Sequence, residues 1–269
     1  MKYSFVNTRL RVRMVKTATQ RARRLFESGS ANEIMQFLAL FGIKDTKLSL
    51  PDADLVINSY FKDEARAVAN RVRTSKFLYL FCKRFEIFEL MNAVTNINKD
   101  KVGGRIVGRA AMTELAVGSD IHAVISAINM KYGFKINQDI TVTELREAIL
   151  VQYLTKLRRL AGLKSKQIVE REITLRQALK GLVGASPSED NELHGWVYKV
   201  LKTDPNVADL RAVHYLLRKS EAVAVSAPLG EQLVMSYIYA MELNYNLVKA
   251  LFFNVKKGIK LEAEGIWQT

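Results

Sequence analysis

Few residues in this chain have the type and spacing that chemistry requires. Its three histidines, His122, His194 and His214, share no metal-ligand spacing, and a single helical imidazole is ordinarily structural or exposed. The one cysteine, Cys82, lies in an aromatic run, where an apolar setting raises a thiol's pKa and leaves it inert. Glu86 and Glu89 stand one helical turn apart, the arrangement of paired carboxylates for acid–base work. Their neighbours Lys83 and Arg84 favour surface ion pairs instead. Gly103, Gly104 and Gly108 beside Arg105 and Arg109 resemble a phosphate cradle, but no Gly-Lys-Ser/Thr ending follows and no strand precedes. An interhelix loop is the expectation there. No Gly-x-Ser-x-Gly elbow occurs. The residues imply no catalytic centre, no metal and no cofactor.

The polar residue that stands out is Glu242, followed one turn later by Asn246, inside the apolar stretch from Pro228 to Gly258. Leu233, Tyr237, Ala240, Asn244, Leu247 and Leu251 recur at helical steps. A second stripe, through Val234, Ile238, Met241, Tyr245 and Val248, runs beside the first. So wide an apolar surface predicts a helix enclosed on most sides. Pro228 is suited to open it and Gly258 to close it, with Lys256 and Lys257 at the negative end of the dipole.

The remaining elements read as helices too. The first is expected over Tyr3–Glu27, basic on most faces. Ser30 with Glu33 and Thr141 with Glu144 stand at capping-box spacing. Pro51 opens a helix, Lys62–Arg73 reads as a polar helix, and Phe77–Leu90 is a dense aromatic cluster belonging to the core. Only Lys135–Val142 carries a hint of extended structure. Further helices are expected over Thr141–Gly162, Ser165–Gly181, Glu189–Leu201 and from Pro205. The fold class is therefore all-α, with about ten helices on short connections.

A chain of 269 residues is long enough for a substantial core, and its single cysteine excludes an intramolecular disulfide, as suits a reducing compartment. No run approaches the roughly 20 apolar residues of a membrane-spanning helix. The net charge of +14 implies an acidic partner: nucleic acid, anionic lipid or an acidic protein surface. The first residues are basic and acid-free, a composition shared with organelle transit peptides, but they are read here as the opening of the first helix.

Three long helices carry a similar phrase: Phe85-Glu86-Ile87, Arg171-Glu172-Ile173 and Met241-Glu242-Leu243, each an acid before Ile or Leu with polar and apolar groups alternating after it. Internal periodicity of this kind means three related helical units, with boundaries at 1–101, 102–183 and 184–269.

With these residues in view, the sequence resembles the C-type central-stalk family of archaeal A-type ATPases, whose counterpart in the eukaryotic V-type enzymes is designated d. Tyr3, Val6, Asn7, Arg9 and Arg11 match the family's opening Tyr-x-x-Val-Asn-x-Arg-x-Arg phrase. Pro228, Leu229, Tyr237, Glu242, Asn246, Leu247 and Gly258 match its last repeat. Lys249 replaces the usual Arg, and Glu172, Thr174, Leu175 and Arg176 replace the Asp-x-x-Asn-Leu phrase of the second repeat. The resemblance implies three pseudo-repeated bundles around a central funnel-like cavity. It also implies a non-catalytic central-stalk role, coupling the D and F components of the central shaft to the membrane rotor ring for proton or sodium transport, peripherally at the cytoplasmic face. The residues expected to carry structure or partner contact are Tyr3, Arg9, Arg11, Arg13, Glu86, Glu172, Tyr237, Glu242 and Asn246. The three acids are expected to pair with a basic neighbour inside each bundle. The alternative is a basic helical nucleic-acid-binding protein, in which the Arg-rich first helix neutralises phosphates.

Overall fold

The computed structural model describes residues 19–27, 29–97, 121–179, 205–226 and 230–258. Tyr3, Arg9, Arg11, Arg13, His194, the glycines at 103, 104 and 108, and the helix expected over Glu189–Leu201 lie outside the described residues. The described chain is all-α. It comprises ten helical segments: α1 (19–27), α2 (Ala31–Ala39), α3 (Leu50–Arg71), α4 (Lys76–Cys82), α5 (Arg84–Ile97), α6 (Ile121–Tyr132), α7 (Val142–Leu160), α8 (Leu163–Leu179), α9 (Pro205–Ser226) and α10 (Glu231–Lys257). No strand occurs among the described residues.

Local chemistry sets the helix ends. Ser30 and Thr141 form complete capping boxes with Glu33 and Glu144, and Ser49 and Ser75 cap α3 and α4. Each cap gives an otherwise unpaired N–H group an acceptor. The two elements expected around Pro51 and over Lys62–Arg73 are one 22-residue helix, α3, because no glycine or proline interrupts the chain between them. The segment after α6 is a loop rather than a strand. The Asn129 side chain accepts from the Ile136 N–H and donates to the Ile136 carbonyl, each at 2.9 Å, and so satisfies the backbone locally.

The last helix organises the rest. At 27 residues α10 is about 40 Å long, and every residue from Val234 to Tyr245 is buried. It packs against α2, α3, α4, α8 and α9, while α5 and α7 close the other side of the core against α3, α4 and α8. The helix starts one residue after Gly230, its N-cap, rather than at Pro228, which lies outside the described residues. It ends at Gly258 in the left-handed conformation (φ 65°), which only glycine adopts without a Cβ penalty. The apolar core is continuous through residues of all three expected units, from Ala22 to Phe252. The aromatic run contributes Phe77, Phe81 and Phe85 to it, and Phe61, Phe85 and Tyr245 pack edge-on or stacked at its centre.

Candidate functional site

At the middle of α10, Glu242 lies in a closed ring of four charges, of which Arg84, Glu172 and Glu242 are buried and Arg176 is partly exposed. Arg84, the first residue of α5, donates through Nη1 to Glu242 Oε2 and through Nη2 to Glu172 Oε2, both at 2.7 Å. Arg176, one turn beyond Glu172 on α8, donates through Nε to Glu172 Oε1 at 2.8 Å and through Nη2 to Glu242 Oε1 at 2.6 Å. Charges alternate around the ring and sum to zero, and each carboxylate gives one oxygen to each guanidinium. The Tyr239 hydroxyl adds a further donation to Glu172 Oε2 at 2.8 Å. Arg84 is 0% exposed and its guanidinium carbon lies over the rings of both Phe81 and Tyr239, at 4.3 and 4.6 Å.

The ring engages both oxygens of each carboxylate and leaves one buried donor, Arg84 Nε, without a hydrogen-bond partner. Removing an ion from water costs several kcal/mol, which close geometry and full hydrogen bonding must offset. Burial pushes the Glu172 carboxyl up, but Arg84, Arg176 and the Tyr239 hydroxyl outweigh it and hold it below the ordinary carboxylate value. Burial works against the Arg84 cation as well, and Glu172 and Glu242 outweigh that. Burial, and then the neighbouring Glu172, push the Tyr239 hydroxyl well up.

Two smaller clusters flank the ring, the first buried and the second partly exposed. Lys62 of α3 meets both oxygens of Glu89, at 2.8 and 3.1 Å. Asp54, two turns earlier on α3, accepts from Tyr245 at 2.9 Å and pairs with Lys249 at 2.6 Å. A cavity of about 160 Å³, lined by Arg146, Arg176, Asp209, Glu242, Asn246 and Lys249 among others, opens beside the ring. This is room for a few water molecules.

The expected site residues divide accordingly. Glu172 and Glu242 meet in the ring: Glu172 pairs with Arg176 of its own expected unit, while Arg84 of the first unit joins both acids and Arg176 reaches Glu242 of the third, so the pairing runs both inside and between units. Glu86 is apart from them. It accepts from the Tyr132 hydroxyl at 2.6 Å and pairs with Lys131 and Lys83 at 3.2 and 3.7 Å. Burial raises its carboxyl, and these three partners together bring it below the ordinary value. The reason is helical geometry: residues two apart lie about 200° apart around the axis, so Arg84 faces the core where Glu86 faces α6. Glu89 is buried against Lys62 and is not a surface residue. Tyr237 is a core side chain, and Asn246 is half-buried at the cavity wall.

Residue spacing alone did not disclose Arg84 and Arg176 as the ring's cations. Two signals pointed toward them: a charged residue enclosed by Phe81, Phe85 and Phe88, and an acid–base pair at i, i+4 on α8. Cys82 is buried, and burial pushes its thiol far up. His122 is exposed, and burial followed by the neighbouring Arg218 lowers the pKa of His214. No group of three or more His, Cys, Asp or Glu among the described residues is placed to hold a metal ion. No described helix is long and apolar enough to cross a membrane. The ring's carboxylates have both oxygens engaged by arginines, a geometry that joins α5, α8 and α10 firmly and offers no open acid or base. Compared with family models, curated proteins and solved structures, the chain matches none.

Proposed function

We propose that this protein is a non-catalytic coupling component of a rotary A/V-type ATPase, peripheral at the cytoplasmic face and set between the central shaft and the membrane rotor ring. One observation carries the reading. The helices bearing the three repeated phrases, α5, α8 and α10, are bound together by a single neutral ring of four charges, three of them buried. A body that passes torque from shaft to ring must not shear between its units, and a ring that is costly to open partway resists shear. The proposal includes the three pseudo-repeated bundles, 1–101, 102–183 and 184–269, around a funnel-like cavity that receives the D and F components of the shaft.

The test is to recover the tagged protein from detergent-solubilised membranes and identify its companions. Rotor-ring and shaft proteins are the expected companions. Recovery of nucleic acid alone, with strongly salt-dependent affinity, defeats the proposal in favour of the nucleic-acid reading.

A further inference from the structure

The N-terminal end of α10 is where three connections meet. Glu231 Oε2 accepts from Ser165 Oγ at 2.8 Å, and Glu231 Oε1 lies 3.5 Å from Ser75 Oγ. Gln232 donates to Ser165 Oγ at 3.0 Å. A Cβ built on Gly162 would stand 3.7 Å from Glu231 Oε2. These contacts gather the α3–α4 turn, the α7–α8 corner and the start of α10 at one pole of the molecule.

That pole is basic. The α3–α4 turn brings Arg71, Arg73 and Lys76, all exposed, and the α7–α8 corner brings exposed Arg159 and Lys164 with half-buried Lys166. Neither Arg71–Lys76 nor Arg158–Lys166 contains an acid. Among the described residues none of these six cations forms an ion pair, whereas Arg158 beside them is held by Glu170 at 2.9 Å. Glu231, the acid at the centre, is turned to the two serines. On the same corner, between Arg159 and Lys164 in the chain, Leu163 is 79% exposed.

We propose that this pole docks on an anionic phospholipid surface, its cations on the headgroups and Leu163 at the headgroup–acyl boundary. Charge complementarity names an anionic partner, and the leucine selects lipid. An apolar side chain ringed by cations gains by entering the interface, but gains nothing on a phosphodiester backbone. The inference rests on the reading of the protein as peripheral to a membrane, and names the face it would turn to the bilayer.

The experiment is co-sedimentation of the full chain with phosphatidylcholine vesicles, with and without phosphatidylserine. A pole variant (Arg73→Gln, Arg159→Gln, Lys164→Gln) is compared with a far-end variant of equal charge (Lys44→Gln, Lys47→Gln, Lys257→Gln). The far-end set is well placed as a control. Lys256 bonds the carbonyls of Thr46 and Leu48 at the other end of α10, about 38 Å away along the helix. Wild type and the far-end variant are expected to bind phosphatidylserine vesicles, and the pole variant to lose about a hundredfold in partition. Leu163→Ser is expected to lose about tenfold, with the salt dependence unchanged. Equal loss in both triple variants, or no wild-type binding to phosphatidylserine vesicles, overturns the proposal. So does pole-dependent binding to a short DNA duplex in place of vesicles. Recovery of ring and shaft proteins tests the coupling role separately, so a failure of either reading is distinguishable from a failure of the other.

Discussion

The residue on which most depends is Arg84, which is fully buried and bonded to two carboxylates on two other helices. Arg84→Met leaves Glu172 and Glu242 sharing one arginine in a desolvated site. Breaking a buried pair in this way costs about 3–5 kcal/mol, so the urea midpoint should fall accordingly. Glu242→Ala should lose a similar amount, because it leaves two guanidinium groups sharing one carboxylate, and on the proposed coupling role it should also loosen assembly. The pH dependence follows from Glu172. Its folded carboxyl lies below the ordinary value of 4.5. Its contribution is therefore complete above the unfolded value and is lost as the pH falls through the folded one. Stability should hold from neutrality down to the unfolded value and drop below it. In Arg84→Met, where burial is no longer outweighed as fully, the drop should begin at higher pH, read as the urea midpoint against pH. Cys82 supplies an independent probe: buried with its thiol pushed up, it should resist alkylation in the native protein and react only as the core opens.

Among the elements, α7 shows how much of the fold is local. Thr141 Oγ1 accepts from the Glu144 N–H, and the Glu144 carboxylate accepts from the Thr141 N–H at 2.7 Å. Thr141→Ala removes half of this box and should cost about 1 kcal/mol in thermal denaturation, with the core unchanged. Both capping boxes, the close of α10 at Gly258 and the start of α9 at Pro205 were legible in the sequence, since each depends on residues within one turn. The enclosure of α10 was legible as well, in its paired apolar stripes. The continuity of α3 was not, because a change from apolar to polar faces within one helix resembles a break between two. The extended segment after α6 misled for a related reason: alternation marks a strand only where a second strand is present to pair with it, and here Asn129 takes that place.

For the molecule as a whole, the continuous core and the charge ring link residues from all three expected units. Unfolding should accordingly be one cooperative event, with calorimetric and van't Hoff enthalpies equal. Two separated transitions would show that the units are energetically independent and that the ring does not join them. The sequence by itself determined the all-α class, two capping boxes, the burial of α10 and an excess of positive charge, because these follow from periodicity, short-range hydrogen bonds and composition. It also singled out Glu86, Glu172 and Glu242 as acids at like places in three helices, each expected to find a cation. The pairing of Glu172 with Arg176 is local, one turn along α8, but the meeting of Glu172 and Glu242 with Arg84 was decided by the tertiary structure alone: Arg84 lies 158 positions from Glu242 and 88 from Glu172. Helix packing, not chain proximity, brings those groups within hydrogen-bonding distance. The basic pole arose in the same way, from two short acid-free segments that are distant in sequence and adjacent only once Ser75 and Ser165 close on Glu231.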